Sequence, residues 1–157
     1  MLEFINKGNI IETDAEALVN TVNTKGVMGA GIALQFKKAF PENFKLYEKA
    51  SKDDKVQIGK IFVTETGKIT NPKYIINFPT KQHWRYPSKL EWIKEGLVDL
   101  RNFIIQKKLK SIAIPPLGCG NGKLNWDDVM PLIVNAVSGI EDLNTLIYEP
   151  SDFAYQS

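Results

Sequence analysis

The sequence predicts an α/β protein, in which helices cover both faces of a largely parallel or mixed sheet. Two observations carry this prediction: short apolar strand candidates alternate with amphipathic helix candidates, and glycine-rich loops follow two of those strands. In folds of this class ligands bind beyond the carboxyl ends of the strands, where both glycine loops are expected. The 157 residues are expected to form one domain, because this length is enough to bury a sizeable core.

Each predicted element is identified by its hydrophobic pattern. Runs rich in β-branched and aromatic residues predict strands, whereas apolar residues three and four positions apart predict helices. The predicted strands lie within residues 2–11, broken by a turn at Gly8-Asn9, and at residues 17–20, 60–65, 74–78, 111–114 and 145–148. The predicted helices cover residues 32–40, 41–50, 88–108 and a segment that begins at Asn125 or Trp126. Ser88 and Glu91 are predicted to form a capping box at the start of the third helix.

The composition excludes several classes of protein and site. Hydrophobic residues make up 43% and charged residues 24% of the chain, as in an ordinary soluble globular protein. The formal net charge of +2 is too small to require a nucleic-acid partner, although a local basic patch is compatible with one. One cysteine and one histidine leave almost no ligands for a zinc site, and no apolar run reaches the roughly 18–20 residues of a membrane span. We therefore expect a cytoplasmic protein without a metal, a cofactor or a membrane partner.

Two glycine loops, at residues 26–31 and 118–122, are the strongest functional signal in the sequence. Each follows an apolar strand and precedes a helix, where unpaired backbone amides and the positive end of the helix dipole favour phosphate. One such loop alone is equally compatible with a tight turn, but two converging loops can hold a diphosphate from both sides. Neither loop has the Gly-Lys-Ser/Thr of an NTPase, and Leu34 replaces the third glycine of a dinucleotide-binding motif. The pattern favours a nucleoside diphosphate that is attached to another group.

Four segments of the chain, residues 7–10, 17–23, 29–33 and 116–120, together resemble the macrodomains, a family of ADP-ribose-binding modules. The resemblance implies a three-layer α/β/α sandwich with a central mixed sheet over residues 1–150, and a tail or the start of a linker at residues 151–157. Within the family, residues 77–85 are most similar to the DarG branch, DNA ADP-ribosyl glycohydrolase antitoxins that reverse a DarT-like toxin. They also resemble the terminal ADP-ribose protein glycohydrolases, which carry a lysine at the corresponding strand end.

The resemblance also implies how the ligand is divided among these segments. Gly8, Asn9 and Ile10 would line the adenine end, although many macrodomains have aspartate in place of Asn9. Asn23 would lie near the distal ribose, and Asn20 would either contact the ligand or tie the strand end to the loop. The other expected ligand-binding residues are Gly26, Met28, Gly29, Ala30, Gly31, Ile32, Thr80, Pro116, Leu117, Gly118, Cys119, Gly120, Asn121 and Gly122.

Lys81 is the residue predicted to carry the chemistry. Cleavage of an N-glycosidic bond needs a base-activated water or an enzyme nucleophile, and the glycine loops do not contain a pair of carboxylates. A lysine that is partly desolvated between Phe78 and Trp84 favours its neutral amine, which can attack the anomeric carbon. The alternative is an ordinary solvated loop lysine. In the related protein glycohydrolases a carboxylate follows the Gly-Cys-Gly and helps to resolve the adduct, whereas this chain has Asn121 and no acid before Asp127.

The loop after the predicted strand 74–78 carries His83, Trp84 and Arg85, which we expect to contact DNA. A tryptophan beside an arginine can stack on a nucleobase and hold a phosphate, as in single-strand binders, but it can equally cover the core. His83 is expected to orient a neighbour by hydrogen bonding rather than to act as a general base. Cys119 is expected to be a packed thiol, because no histidine lies near it in the sequence.

The leading hypothesis is a hydrolase that removes ADP-ribose from ADP-ribosylated thymidine in single-stranded DNA and so acts as an antitoxin. Its partners would be ADP-ribose, single-stranded DNA that carries it, and a cognate toxin bound through sequence beyond these residues. Two alternatives remain open: a module that binds ADP-ribose without cleaving it, and a hydrolase of ADP-ribosylated protein carboxylates. The basic residues Lys73, Arg85 and Lys89 weakly favour DNA as the substrate.

Overall fold

The computed structural model describes residues 1–150, which form a six-stranded mixed sheet between two layers of helices. The strands are β1 (Leu2–Ile5), β2 (Ala17–Asn23), β3 (Phe62–Glu65), β4 (Tyr74–Lys81), β5 (Ser111–Ile114) and β6 (Asn144–Tyr148). The α-helices are α1 (Gly31–Ala39), α2 (Pro41–Lys52), α3 (Leu90–Lys107) and α4 (Trp126–Val137). The predicted α/β/α sandwich is confirmed, and the tail predicted at residues 151–157 lies outside the described residues.

The order of the strands in the sheet brings both glycine loops to one edge. The order is β1-β6-β5-β2-β4-β3; all neighbouring pairs are parallel except β3 with β4, which is antiparallel. The carboxyl ends of β2, β5 and β4 therefore meet at the same edge of the sheet. The loops that follow these three strands contain the candidate site.

Side chains of the central strands alternate between the two helical layers. On β2, Ala17 and Val19 pack in the large core beneath α3 and α4, whereas Leu18 packs with Phe36 of α1. The same alternation on β4 and β5 gives both faces of the sheet an apolar cover, as expected for strands buried on both sides. A short 3-10 helix, Ile10–Glu12, follows β1 where the sequence predicted a turn, and its Ile10 belongs to the core on the α1 side.

A buried polar network interrupts the apolar core between β2, β4, β3 and α2. Asn77 and Asn43 exchange side-chain hydrogen bonds of 2.8 and 3.1 Å, and Thr64 Oγ1 donates to Asn43 Oδ1 over 2.6 Å. Asn20 Nδ2 lies 3.4 Å from Asn77 Oδ1 and 3.8 Å from the sulfur of Met28. Each satisfied amide avoids the cost of about 1–3 kcal/mol that a buried unpaired polar group carries.

β4 is longer than the sequence predicted, because it continues through Pro79 to Lys81. A proline inside a strand is tolerated where its missing N–H would face no partner. The antiparallel neighbour β3 pairs with β4 only as far as Asn77, so Pro79 lies beyond the end of that ladder. β2 likewise extends to Asn23, which pairs with Lys81. The predicted strand 74–78 would leave Lys81 in the loop that follows, and this boundary is wrong: Lys81 is the last residue of a central strand.

The capping box predicted from Ser88 and Glu91 is wrong. α3 begins at Leu90, and its N-cap is Lys89. The backbone N–H of Ser88 donates instead to the carbonyl oxygen of Gly122, over 2.9 Å. Its Oγ is buried and finds no hydrogen-bond partner within residues 1–150. Ser88 therefore joins the loop before α3 to the second glycine loop rather than capping the helix.

Candidate functional site

A cavity of about 390 Å³ lies at the carboxyl ends of β2, β4 and β5. Both glycine loops and the end of β4 contribute to its wall, so the structure brings together most of the predicted site. The residues that line it are Thr21, Val22, Asn23, Val27, Gly29, Ala30, Gly31, Ile32, Ala33, Thr80, Lys81, Trp84, Pro116, Gly118, Gly120, Asn121 and Gly122. Thr21 and Val22 of β2, Val27 of the loop and Ala33 of α1 were missed by the sequence analysis. A small or apolar side chain in a strand, loop or helix has the same local pattern whether it faces a core or a ligand.

Asn23 organises the first glycine loop. Its Oδ1 accepts hydrogen bonds from the backbone amides of Lys25 (2.9 Å) and Val27 (3.3 Å), and its Nδ2 donates to the carbonyl of Val27 over 2.8 Å. The hydroxyl of Tyr47 lies 2.7 Å from the main-chain oxygen of Asn23 and 3.0 Å from Oδ1, and donates to the nearer. Burial raises the pKa of Tyr47 to about 12, which keeps it a neutral donor. The loop is therefore held by side chains beneath it.

Two predicted ligand residues of this loop turn away from the cavity. Gly26 has a left-handed φ of 85°, and a Cβ built there would lie 3.1 Å from Ser51 Cβ. Met28 is only 1% exposed and packs in a small core with Tyr47. Both residues therefore shape the loop from behind and do not line the cavity.

The start of α1 presents free backbone amides to the cavity. α1 begins at Gly31, and its N-cap residue is Ala30. The methyl side chain of Ala30 makes no hydrogen bond to the first amides of the helix. The first amides of a helix have no partner within the helix and lie at the positive end of its dipole. Because Ala30, Gly31, Ile32 and Ala33 all line the cavity, these amides are available to an anion such as phosphate.

The second glycine loop is a compact turn braced by Ser88. Backbone hydrogen bonds join Cys119 to Pro116 (3.1 Å) and Lys123 to Gly120 (3.0 Å). A Cβ at Gly122 would collide with the carbonyl oxygen of Gly118 and lie 2.5 Å from Ser88 Oγ. Only glycine therefore fits at position 122 without moving the loop.

Lys81 reaches the cavity from the end of β4. It is 9% exposed, and its Nζ donates a 2.9 Å hydrogen bond to the main-chain oxygen of Trp84. Desolvation, and secondarily the positive charge of Lys123, lower the pKa of Lys81. Among residues 1–150, the cavity wall contains no carboxylate, and Lys81 is the one charged side chain in it. The expected desolvated lysine is present, and its lowered pKa raises the share of the neutral amine that a nucleophile needs above that of a solvated lysine.

Asn20 is fully buried in the polar network and does not line the cavity. The interpretation in which it ties the strand to the loop fits this position, because its amide lies against Met28 and Asn77. Its Oδ1 finds no partner among the described residues. Direct contact between Asn20 and a ligand is not compatible with this burial.

Cys119 and Leu117 are also turned away from the cavity. Leu117 is fully buried in the core, and Cys119 Sγ donates to the carbonyl of Leu117 over 3.6 Å. Burial and the charge of Asp128 raise the pKa of the Cys119 thiol to about 12. A thiol in this state is protonated and unreactive, as the sequence analysis expected.

Gly8, Asn9 and Ile10 lie outside the cavity wall but at the same edge of the sheet, after the carboxyl end of β1. Asn9 accepts a hydrogen bond of 3.1 Å from the amide of Ile11, and Ile10 is buried against α1. His83 and Arg85 likewise do not line the cavity, whereas their neighbour Trp84 does.

Two further properties concern residues 1–150 as a whole. They contain no group of three or more histidine, cysteine, aspartate or glutamate side chains that could hold a metal ion. None of the helices described here has the length and apolarity needed to cross a membrane.

A model of the macro domain family matches residues 19–133. This chain belongs to the macrodomain family. The resemblance on which the sequence analysis relied is thereby confirmed, and both glycine loops lie within the matched region.

Comparisons with individual macrodomain proteins are more specific. The DNA ADP-ribosyl glycohydrolase of Thermus aquaticus is 53% identical over 150 residues, which make up 96% of this chain and 41% of that protein. This chain therefore spans about two fifths of the length of such curated relatives. Its structure is similar to the macrodomain of Mycobacterium tuberculosis DarG, with a TM-score of 0.93, 53% identity and coverage of 96% and 99% of the two chains. It is also similar to Thermosipho africanus DarTG in complex with ADP-ribose, with a TM-score of 0.84, 28% identity and coverage of 94% and 41%.

Proposed function

We propose that this macrodomain removes ADP-ribose from ADP-ribosylated thymidine in single-stranded DNA, and that it serves as the antitoxin to a DarT-like DNA ADP-ribosyltransferase. The observation that carries the proposal is Lys81, a desolvated lysine at the rim of a cavity whose wall includes unpaired helix amides. The 53% identity to a protein named DNA ADP-ribosyl glycohydrolase supports this choice of substrate. Such a protein would act in the cytoplasm, where its DNA substrate is.

The diphosphate of ADP-ribose would lie between the two glycine loops. The amides at the start of α1 would bind it from one side and those of residues 118–122 from the other. Gly8, Asn9 and Ile10 would line the adenine end, and Asn23 would hold the loop that positions the distal ribose. The similarity to a DarTG structure in complex with ADP-ribose supports this ligand.

Lys81 would act as the nucleophile. Its neutral Nζ would form a bond to the anomeric carbon while the bond from that carbon to the thymine nitrogen breaks. The departing base takes the bonding electrons and gains a proton, which balances the proton lost from the attacking amine. Water then hydrolyses the lysine adduct, releasing ADP-ribose and restoring the amine.

The release step would proceed without a carboxylate from the second glycine loop. Asn121 lines the cavity at the place where the protein glycohydrolases carry an acid. An amide side chain can hold a water by hydrogen bonds but cannot take its proton. As the bond between the anomeric carbon and Lys81 Nζ breaks, the leaving amine would take up the proton that the attacking water loses.

The test is release of ADP-ribose from a single-stranded oligonucleotide that carries one ADP-ribosylated thymidine. We expect wild-type protein to release it and Lys81→Ala to release none, with ADP-ribose affinity in calorimetry largely kept. Lys94→Ala, on the exposed face of α3, is the matched control and should behave as wild type. Binding without release by the wild type would instead support the module that binds ADP-ribose only. Release from an ADP-ribosylated glutamate peptide but not from DNA would support the carboxylate hydrolase.

A further inference from the structure

Three aromatic rings lie together on the loop that follows β4. The rings of His83 and Trp84 are stacked, with centroids 3.9 Å and planes 25° apart, and the ring of Tyr86 lies 5.3 Å from that of His83. Trp84 is 48% exposed and Tyr86 is 65% exposed. We call these three residues the aromatic cluster. Large aromatic rings exposed together on a soluble protein usually mark a binding surface.

Hydrogen bonds fix the conformation of this loop before any ligand binds. The amide of Arg85 donates to His83 Nδ1 over 3.1 Å, and the amide of Tyr86 donates to the carbonyl of His83 over 3.2 Å. Thr24, directly after β2, donates from Oγ1 to the carbonyl of Gln82 over 2.9 Å. A surface ordered in advance loses little entropy when a flat ligand stacks on it.

The aromatic cluster begins at the cavity wall. Trp84 lines the cavity, and its carbonyl oxygen accepts the hydrogen bond from Lys81 Nζ. The ring of His83 covers one face of the Trp84 indole, so the solvent-exposed part of the indole is its other face and its edge. Successive bases of a stacked strand are about 3.4 Å apart, so a base beside the reacting thymidine comes within reach of this indole. The exposed basic residues Arg85 and Lys89 flank the cluster and suit a phosphate backbone.

We propose that the aromatic cluster is a stacking platform for the unmodified base next to the modified thymidine. The site then binds the DNA strand as well as ADP-ribose, with Trp84 as the inner and Tyr86 as the outer stacking surface. Stacking on an aromatic ring tolerates every base, so this platform selects a strand over a free nucleoside rather than one sequence over another. The inference rests on the proposed function, because it assigns a second part of the same substrate.

The experiment compares two substrates in each protein variant. One is ADP-ribosylated thymidine as the nucleoside, and the other is the same thymidine inside a short single-stranded oligonucleotide. The measured quantity is the ratio of kcat/KM for the oligonucleotide to kcat/KM for the nucleoside. We expect this ratio to fall about five- to 160-fold in Trp84→Ala and about fivefold in Tyr86→Ala, within the range that loss of one stacked base gives.

Conservative variants separate stacking from general packing. Tyr86→Phe keeps the ring and should keep the wild-type ratio, whereas Tyr86→Leu keeps an apolar side chain and should lower it. Val98→Ala removes an exposed apolar side chain from α3, away from the cluster, and should leave both substrates unaffected. Circular dichroism and thermal unfolding verify that each variant is folded.

The outcomes distinguish this inference from the proposed function. A ratio that is the same in wild type, Trp84→Ala and Tyr86→Ala, with both substrates cleaved, would overturn the platform and leave the hydrolase proposal intact. No cleavage of either substrate by the wild type would overturn the proposed function itself, and the platform with it.

Discussion

The backbone amide of Ser88 donates a hydrogen bond of 2.9 Å to the carbonyl of Gly122, and the Ser88 side chain packs against the Gly122 α-carbon. This contact joins the loop before α3 to the second glycine loop. The shape of the cavity therefore depends on a residue, Ser88, that does not line it.

Gly122→Ala is expected to displace the second glycine loop. The new methyl group meets the Gly118 carbonyl and Ser88 Oγ, and overpacking of this kind costs about 1–3 kcal/mol of unfolding free energy. ADP-ribose binding in calorimetry should weaken at least about tenfold, because the loop amides move. Gly139→Ala is the control: its φ of 75° strains an alanine locally, but its Cβ meets nothing within 4 Å and it does not line the cavity, so binding should be unchanged. Wild-type affinity in Gly122→Ala would contradict the role given to this loop.

The rate of ADP-ribose release is expected to rise with pH on its acid side. Desolvation and Lys123 lower the pKa of Lys81, and only its neutral amine attacks. Lys123→Gln removes a positive charge that disfavours protonated Lys81, so the pKa of Lys81 rises and the acid limb of the kcat/KM profile moves to higher pH. Lys94→Gln makes the same charge change on exposed α3 and should leave the limb in place. A limb that stays fixed or moves to lower pH in Lys123→Gln would exclude this electrostatic effect.

Tyr47→Phe is expected to loosen the first glycine loop. It removes the hydroxyl that lies 2.7 Å from the Asn23 carbonyl and leaves that buried acceptor unpaired, at about 1–3 kcal/mol of unfolding free energy in urea denaturation. ADP-ribose affinity should fall in parallel, because Asn23 holds the amides of Lys25 and Val27. Tyr74→Phe serves as the control, since the Tyr74 hydroxyl makes no side-chain hydrogen bond within residues 1–150. Equal stability and affinity in the two variants would refute this role of Tyr47.

Cys119 is expected to resist alkylation in the folded protein. Because its pKa is raised from 9.0 to about 12, the thiolate population at pH 8 falls about 1,000-fold relative to an exposed thiol. Iodoacetamide labelling, followed by mass spectrometry, should therefore be much slower in buffer than in enough urea to unfold the protein. Asp128→Asn removes the second cause of the shift and should speed labelling modestly. Rapid labelling of the folded wild type would contradict a packed thiol.

The sequence was sufficient for the fold class and for the two glycine loops, because both depend on local patterns. Strand and helix periodicity depends on neighbouring residues, and two glycine loops that each lie between an apolar strand and a helix start favour a diphosphate site over two separate tight turns. Lys81 was singled out through the family resemblance of residues 77–85, and its burial agrees with the setting between Phe78 and Trp84. The lowered pKa of Lys81 follows mainly from the burial that this setting predicted.

The sequence was not sufficient where distant segments decide the outcome. Pro79 lies inside β4 because β3 ends its pairing at Asn77, which no local pattern records. Ser88 has the spacing of a helix cap relative to Glu91. Its backbone amide instead donates a hydrogen bond to the carbonyl of Gly122, which lies 34 positions further along the sequence. The family resemblance grouped Asn20 with the ligand residues and left open a structural role, and only the network with Asn77 decides for the structural role.

The amine of Lys81 is held by the main-chain oxygen of Trp84, not by its side chain. Every residue type carries that oxygen, so position 84 can change its side chain while the anchor of the amine is retained. In the proposed mechanism, substrate preference belongs to the side chain of residue 84 and bond cleavage depends on its main-chain oxygen. A lineage could then exchange the indole for another surface, and so acquire a different modified partner, while the amine of Lys81 stays in place.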